Sequence, residues 1–209
     1  MKALLLVDLQ NDFMPGGALP VPEGDAVIPV ANGLMAHFDL VIATQDWHPP
    51  GHKSFASSHE GRKPGDVIEL HGREQVLWPD HCVQGTPGAE PAAGLDVGRI
   101  DRIVQKGTDP EIDSYSGFFD ADRRNVTGLA DFLAEQGARE VYVLGLATDY
   151  CVKFTALDAR QLGLATYLIE DGCRGVDLAA GDVARAVGAM RQAGVIVLDS
   201  SRVPRADWR

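Results

Sequence analysis

The feature that most restricts the fold is an alternation of short apolar runs with longer segments of helical period. Ala3–Val7 is apolar throughout and stops at Asp8. Leu40–Ala43, Ile100–Val104, Val141–Leu146, Leu164–Ile169 and Val195–Leu198 read as further strands. Between them, Gly24–Phe38, Asp122–Gln136, Thr148–Leu162 and Ala179–Ala193 read as helices. In the first of these, Val27, Ile28, Val30, Ala31, Leu34 and Met35 fall on one side. Strands without a polar face are covered on both sides, which parallel sheets require and two-faced antiparallel sheets do not. The pattern predicts an α/β fold: a three-layer α/β/α sandwich around a mostly parallel, doubly wound sheet. At 209 residues the chain suits a single domain, 1–209, large enough to hold a core without disulfides or metal.

The alternation fails between residues 49 and 99, which are rich in Gly, Pro and His. Structureless segments of that length are uncommon unless functional. His52, His59, His71 and His81 lie within it and His48 just before it, so an ordered lid is expected, with a short strand at Val67–Leu70. The formal charge of −11 argues against nucleic-acid binding and against an anionic membrane surface. Three widely spaced cysteines do not form a disulfide framework, and this points to a reducing compartment. The apolar run at the N-terminus is shorter than a secretory signal needs, and no stretch reaches the ~20 residues of a membrane span. A cytoplasmic location is expected.

Ligands of open α/β sheets bind beyond the carboxyl ends of the strands, so polar residues there are candidates for function. These are Asp8, Asp46 with His48, Lys106, and the run Gly145-Leu146-Ala147-Thr148-Asp149-Tyr150-Cys151. A carboxylate directly after five apolar residues needs a partner; a helix N–H or a Lys would serve structurally, and catalysis would serve equally. Lys106 is either a surface lysine or the cation paired with Asp8. Cys151 falls in the first turn of an expected helix, where the helix dipole lowers a thiol pKa; the alternative is an inert buried thiol. Cys173 fits the inert description, whereas Cys82, beside His81, is open to a metal contact. A Cys, an acid and a Lys make a covalent-catalysis set. In an extended segment Asp46 and His48 point the same way, so both reach one ion, and two His with one Asp suit zinc, iron or manganese. A closed structural zinc site would want four protein ligands, and a redox thiol would want a Cys-x-x-Cys, which is missing.

Several blocks together resemble the isochorismatase-like cysteine hydrolases, and their nicotinamidase (pyrazinamidase) branch in particular. They are Asp8-Leu9-Gln10-Asn11-Asp12-Phe13, continuing Met14-Pro15-Gly16-Gly17-Ala18-Leu19; Thr44-Gln45-Asp46-Trp47-His48-Pro49; Trp78-Pro79-Asp80-His81-Cys82-Val83; Lys106-Gly107; Tyr115-Ser116-Gly117-Phe118; and the block ending in Cys151-Val152. They fall in family order from Met1 to about Gly175. The resemblance implies a catalytic triad of Asp8, Lys106 and Cys151. It implies a divalent metal, zinc first and Fe2+ or Mn2+ next, on Asp46, His48 and His81 with water completing the shell; His52 and Ser54 are further lid candidates. It implies an oxyanion hole from the Ala147 and Cys151 N–H groups, aimed by a cis peptide between Ala147 and Thr148. Phe13, Trp78 and Tyr115 match the aromatic walls of the pocket. The implied reaction converts nicotinamide, and pyrazinamide as well, to the acid and ammonia through a Cys151 thioester, with Lys106 mattering more to rate than to fold. The rival is a related amidase acting on a carbamoyl or ureido group; a catalytically silent binding module would have lost the nucleophile. Oligomeric state and the role of Ser200–Arg209, with Trp208, are left open.

Overall fold

The computed structural model describes residues 1–204; Trp208 lies outside them. The elements are β1 (Lys2–Val7), α1 (Val27–Met35), β2 (Leu40–Asp46), β3 (Val67–Leu70), β4 (Arg73–Val76), β5 (Arg102–Lys106), α2 (Leu129–Glu135), β6 (Glu140–Leu146), α3 (Lys153–Gln161), β7 (Ala165–Arg174), α4 (Asp182–Gln192) and β8 (Ile196–Leu198). Six strands form one sheet in the order β5-β2-β1-β6-β7-β8, and every pairing is parallel. The chain winds from β1 out to β5 through β2, then crosses to the other side of β1 and winds out to β8. Right-handed crossovers in two opposite directions place α1 on one face and α2, α3 and α4 on the other. This is the expected doubly wound architecture.

β1 and β6 are the middle of the core. From Ala3 onward β1 is inaccessible to solvent, as is most of β6. Burying Leu4, Leu5 and Leu6 is worth roughly 1.5–3 kcal/mol each. Gly145 in β6 has φ 128°, and a Cβ there would strike the backbone of Val7, so this close strand contact admits only glycine.

Among the boundaries that differ from expectation, three have a clear local cause. The segment expected to be helical from Asp122 begins its helix at Leu129. The Asp120 carboxylate accepts the N–H groups of Arg124 (2.9 Å) and Asn125 (3.0 Å), which folds the chain into a turn, and Gly128 at φ 82° starts the helix. The expected helix from Thr148 opens with a wide turn over Thr148–Val152, where the Val152 N–H reaches Ala147 O (3.1 Å), and becomes regular at Lys153. β7 continues past Ile169 to Arg174 after a break in register, because Cys173 pairs again with Gly145.

The lid is ordered. Phe55 and Leu77 are fully buried within it. Backbone hydrogen bonds Ala56 N–H to Trp78 O and Trp78 N–H to Ser54 O, both 2.8 Å, tie its two arms together. His48 N–H to Cys82 O (3.0 Å) ties it to the end of β2. The expected strand at Val67–Leu70 pairs with β4 in an antiparallel hairpin. The residues at its turn, His71 and Gly72, both have positive φ (52° and 79°), as a two-residue type I′ hairpin needs.

Candidate active site and metal centre

Four strands deliver a polar group to the same rim. Asp8 follows β1, Asp46 ends β2, Lys106 ends β5 and Cys151 sits in the turn after β6. Lys106 is their hub. Its Nζ lies 2.9 Å from Asp8 Oδ2, 2.5 Å from Asp46 Oδ1 and 3.3 Å from Cys151 Sγ, and it donates to Ser114 O at 2.9 Å. Asp8 Oδ1 accepts the Thr44 hydroxyl (2.6 Å). Asp8, Asp46 and Cys151 offer donor atoms all within 4.8 Å of one another. The surface-lysine alternative for Lys106 is excluded, because it is 2% exposed.

Burial and charge set the protonation states. Burial disfavours the Lys106 cation, but Asp46 and Asp8 overcome this and hold it protonated well above its usual range. Burial would likewise raise Asp46, yet Lys106, His48 and His81 hold it below the usual carboxylate range. Asp8 is pushed up, by burial first, with Lys106 opposing and Asp46 adding to the shift. Cys151 is also pushed well up, by burial and then by Asp8 and Asp46, with Lys106 pulling the other way. This corrects the expectation of a thiol acidified by a helix dipole: in this site two carboxylates and the lack of water outweigh a partial dipole charge. Burial and the two carboxylates thus favour the protonated form of Cys151, and the fully buried Asp8 lies within reach of its thiol.

A second cluster adjoins the first through Asp46. Asp46, His48 and His81 present donor atoms within 4.8 Å of one another, with His48 Nε2 and His81 Nε2 at 3.6 Å and 3.8 Å from Asp46 Oδ2. His48 Nδ1 faces Gly107 O (2.9 Å) and His81 Nδ1 faces Pro79 O (2.8 Å). A carbonyl only accepts, so both rings carry a proton on Nδ1 and turn Nε2 to Asp46; burial opposes the His48 cation, but Asp46 raises the His48 pKa. Burial, helped by His48, lowers His81 to about 4. Gly107 is required here, because at φ 66° a Cβ would collide with the His48 ring. One carboxylate and two imidazole lone pairs, each oriented by a backbone partner, fit a divalent cation.

His52 differs in one respect. Its Nδ1 lies 2.7 Å from Ser54 Oγ and receives the Ser54 backbone N–H (3.1 Å), so the proton of the neutral ring is on Nε2. That Nε2 is buried and has no partner. Cys82 stays clear of the cluster. It is a buried thiol whose backbone N–H is held by Asp12 Oδ2 at 2.7 Å. Cys173 is a buried thiol bonded to Ile169 O.

Both clusters reach one cavity, the first through Cys151 and the second through Asp46 and His81. Phe13, Trp78 and Tyr115 line it as expected, together with Ala147, Cys151, Asp46 and His81. Trp78 and Tyr150 meet edge to face at 4.9 Å, and Tyr115 and Tyr150 lie 5.4 Å apart. The sequence reading missed Tyr150, Asp113, Leu19, Val21 and Val176 in this wall. Tyr150 stands next to the nucleophile and Asp113 two residues before Tyr115, so proximity to a quoted block was the available signal. Val176 comes in through Asp149, whose carboxylate accepts the N–H groups of Val176 (3.0 Å) and Asp177 (2.8 Å). The non-proline cis bond is Leu146–Ala147, one residue earlier than expected.

Residues 2–202 match the isochorismatase domain family. The nicotinamidase of Escherichia coli K12 is 50% identical over 211 residues, covering 99% of this chain and 96% of that protein. A solved nicotinamidase/pyrazinamidase structure from Acinetobacter baumanii superposes with a TM-score of 0.94 at 47% identity, covering 97% and 98% of the two chains. A Pyrococcus horikoshii pyrazinamidase solved in complex with zinc gives 0.77 at 40% identity, covering 95% and 98%.

Proposed function

Since this chain belongs to the isochorismatase family, we propose that it is an amidohydrolase converting nicotinamide and water to nicotinate and ammonia. The observation that carries the reading is a buried Asp8–Lys106–Cys151 cluster opening, beside an Asp46–His48–His81 donor set, onto an aromatic slot. Pyrazinamide presents the same carboxamide on a six-membered nitrogen ring and is a second substrate. The relatives support this reading over a carbamoyl or ureido substrate. The reading treats 1–209 as one domain. No helix among the described residues is long and apolar enough to cross a membrane.

The substrate ring lies between Phe13, Trp78 and Tyr115. Asp8 takes the Cys151 proton, and the thiolate forms a bond to the carboxamide carbon. Negative charge moves to the carbonyl oxygen, where the Ala147 and Cys151 N–H groups receive it. Protonated Asp8 then gives its proton to the departing nitrogen; the C–N bond breaks and ammonia leaves a thioester. Water enters, Asp8 takes its proton, the new C–O bond forms and the C–S bond breaks, returning the proton to Cys151. Lys106 remains a cation throughout and keeps the changing charge on Asp8 and Cys151 balanced.

Asp46, His48 and His81 would hold the metal, and zinc is the ion we assign, with Fe2+ and Mn2+ suited to the same donors. When bound, the cation supplies a Lewis-acid contact for the pyridine nitrogen and so orients the ring. His52 keeps a buried N–H without a partner, so we assign it as a hydrogen-bond donor and not a fourth ligand; Ser54 holds its ring.

Ammonia release from nicotinamide, with and without a chelator, tests the reading. The expected result is release that a chelator suppresses, and Asp46→Ala lowers metal content and raises KM. No release from reduced, metal-replete, folded protein would overturn it. The acid limb of kcat/KM checks the role of Asp8. A base must be ionised to act, so activity falls as pH drops through the raised Asp8 pKa, by about tenfold per pH unit. Asp8→Asn abolishes turnover at every pH. Full activity of wild-type protein well below the ordinary carboxylate range would assign the base elsewhere.

A further inference from the structure

Gln75 lies on β4 of the lid hairpin, where its neighbours Arg73 and Glu74 are exposed and it alone is buried. A buried amide needs partners, and those of Gln75 are not structural filler. Its Nε2 lies 3.1 Å from Asp113 Oδ2, 3.2 Å from the Tyr115 hydroxyl and 2.7 Å from Val76 O, so its two hydrogens are shared among three acceptors. Asp113 and Tyr115 both line the substrate cavity, while Gln75 does not reach it. The Tyr115 oxygen also accepts the Trp78 indole N–H at 3.0 Å. Two donors thus converge on one phenol oxygen, and they fix Tyr115 relative to Trp78, a second member of the aromatic wall.

The Asp113 carboxylate is held from two directions, by Gln75 at one oxygen and by its neighbour's N–H, from Ser114, at the other (2.8 Å). A donor atom of Asp113 lies within 4.8 Å of those of His48 and His52. Without the Gln75 amide, a buried carboxylate and a buried phenol would both lose a donor next to the bound ring, and the hairpin would lose its polar ties to Asp113 and Tyr115.

We propose that Gln75 is a positioning residue for the substrate: it fixes the slot between Tyr115 and Trp78, and the Asp113 carboxylate, without touching the substrate or the reacting atoms. The proposal rests on the nicotinamide reading above. It places the role in ring binding, because Cys151, Asp8 and Lys106 make no bond to Gln75.

Steady-state kinetics of Gln75→Leu on nicotinamide, in the metal-replete full chain, tests it. The expected result is a KM raised about 5- to 30-fold with kcat within about threefold, the loss that follows from unpairing buried partners used in binding. A double-mutant cycle with Tyr115→Phe is expected to be strongly non-additive, since both changes break one hydrogen bond. Should Gln75→Leu not fold, Gln75→Met, which keeps the length and loses the paired donors, is read in the same way. Gln75→Asn, which keeps the amide on a shorter arm, is expected to recover part of the KM. An unchanged KM, a loss confined to kcat, or an additive cycle overturns the proposal. Wild-type protein that releases no ammonia overturns the nicotinamide reading instead, so the two failures are distinct.

Discussion

Cys151→Ala folds normally and loses turnover by about 10⁴- to 10⁶-fold, the range expected when a covalent nucleophile is deleted. The side chain is small and the site is lined by charged partners that remain paired, since Lys106 keeps Asp8 and Asp46. Thermal unfolding should therefore stay near that of the wild type while ammonia release disappears. The variant retains the aromatic slot and the Asp46–His48–His81 donors, so nicotinamide binding persists and can be measured by calorimetry. Retention of more than a few per cent of the wild-type rate would sink the covalent route and leave Cys151 as a packing residue.

Lys106→Met damages the fold as well as the rate. The lysine is buried against two carboxylates, and deleting one partner of a buried ion pair leaves uncompensated charge, at a cost of about 3–5 kcal/mol. Urea unfolding at neutral pH measures the deficit. The sign of its pH dependence follows from the carboxylates. Without Lys106, Asp8 in the folded chain holds its proton more tightly than in the unfolded chain, so the penalty is present at neutral pH and shrinks as pH falls and Asp8 protonates. kcat falls by at least about 100-fold, because the thiolate loses its nearest cation. A variant as stable as the wild type at neutral pH would mean that Lys106 does not balance these charges.

The architecture was legible because apolar runs such as Ala3–Val7 and Val141–Leu146 have no polar face, and only a sheet covered on both sides accommodates that. Asp8, Asp46 and Lys106 were legible for a related reason: each breaks or ends such a run. Cys151 needed the resemblance as well. Its protonation was misread because a helix terminus is visible in sequence, whereas the convergence of Asp8 and Asp46 on the thiol is purely spatial. The same holds for Asp113 and Tyr150, which line the cavity, and for Gln75, which holds that wall from behind, all through contacts between segments. β4 was missed because Arg73, Glu74 and Gln75 are polar, although the His71-Gly72 pair between two short runs was a usable turn signal. The helix expected from Asp122 was overrun by a side-chain-capped turn at Asp120, a local hydrogen-bond choice that apolar periodicity does not register.

The strand order has a consequence for how such a chain is made. β1 is synthesised before the other five strands of its sheet, but one of its two edges is completed only by β6, whose residues begin at Glu140. Until then β5, β2 and β1 can associate only as a partial sheet, with an apolar edge along Ala3–Val7 open to unwanted pairing. The same late event that closes this edge brings the segment carrying Cys151 next to Asp8 and Lys106. A nascent chain is thus most vulnerable to aggregation before this cluster exists, and Cys151 meets Asp8 and Lys106 only when the vulnerable edge has been sealed.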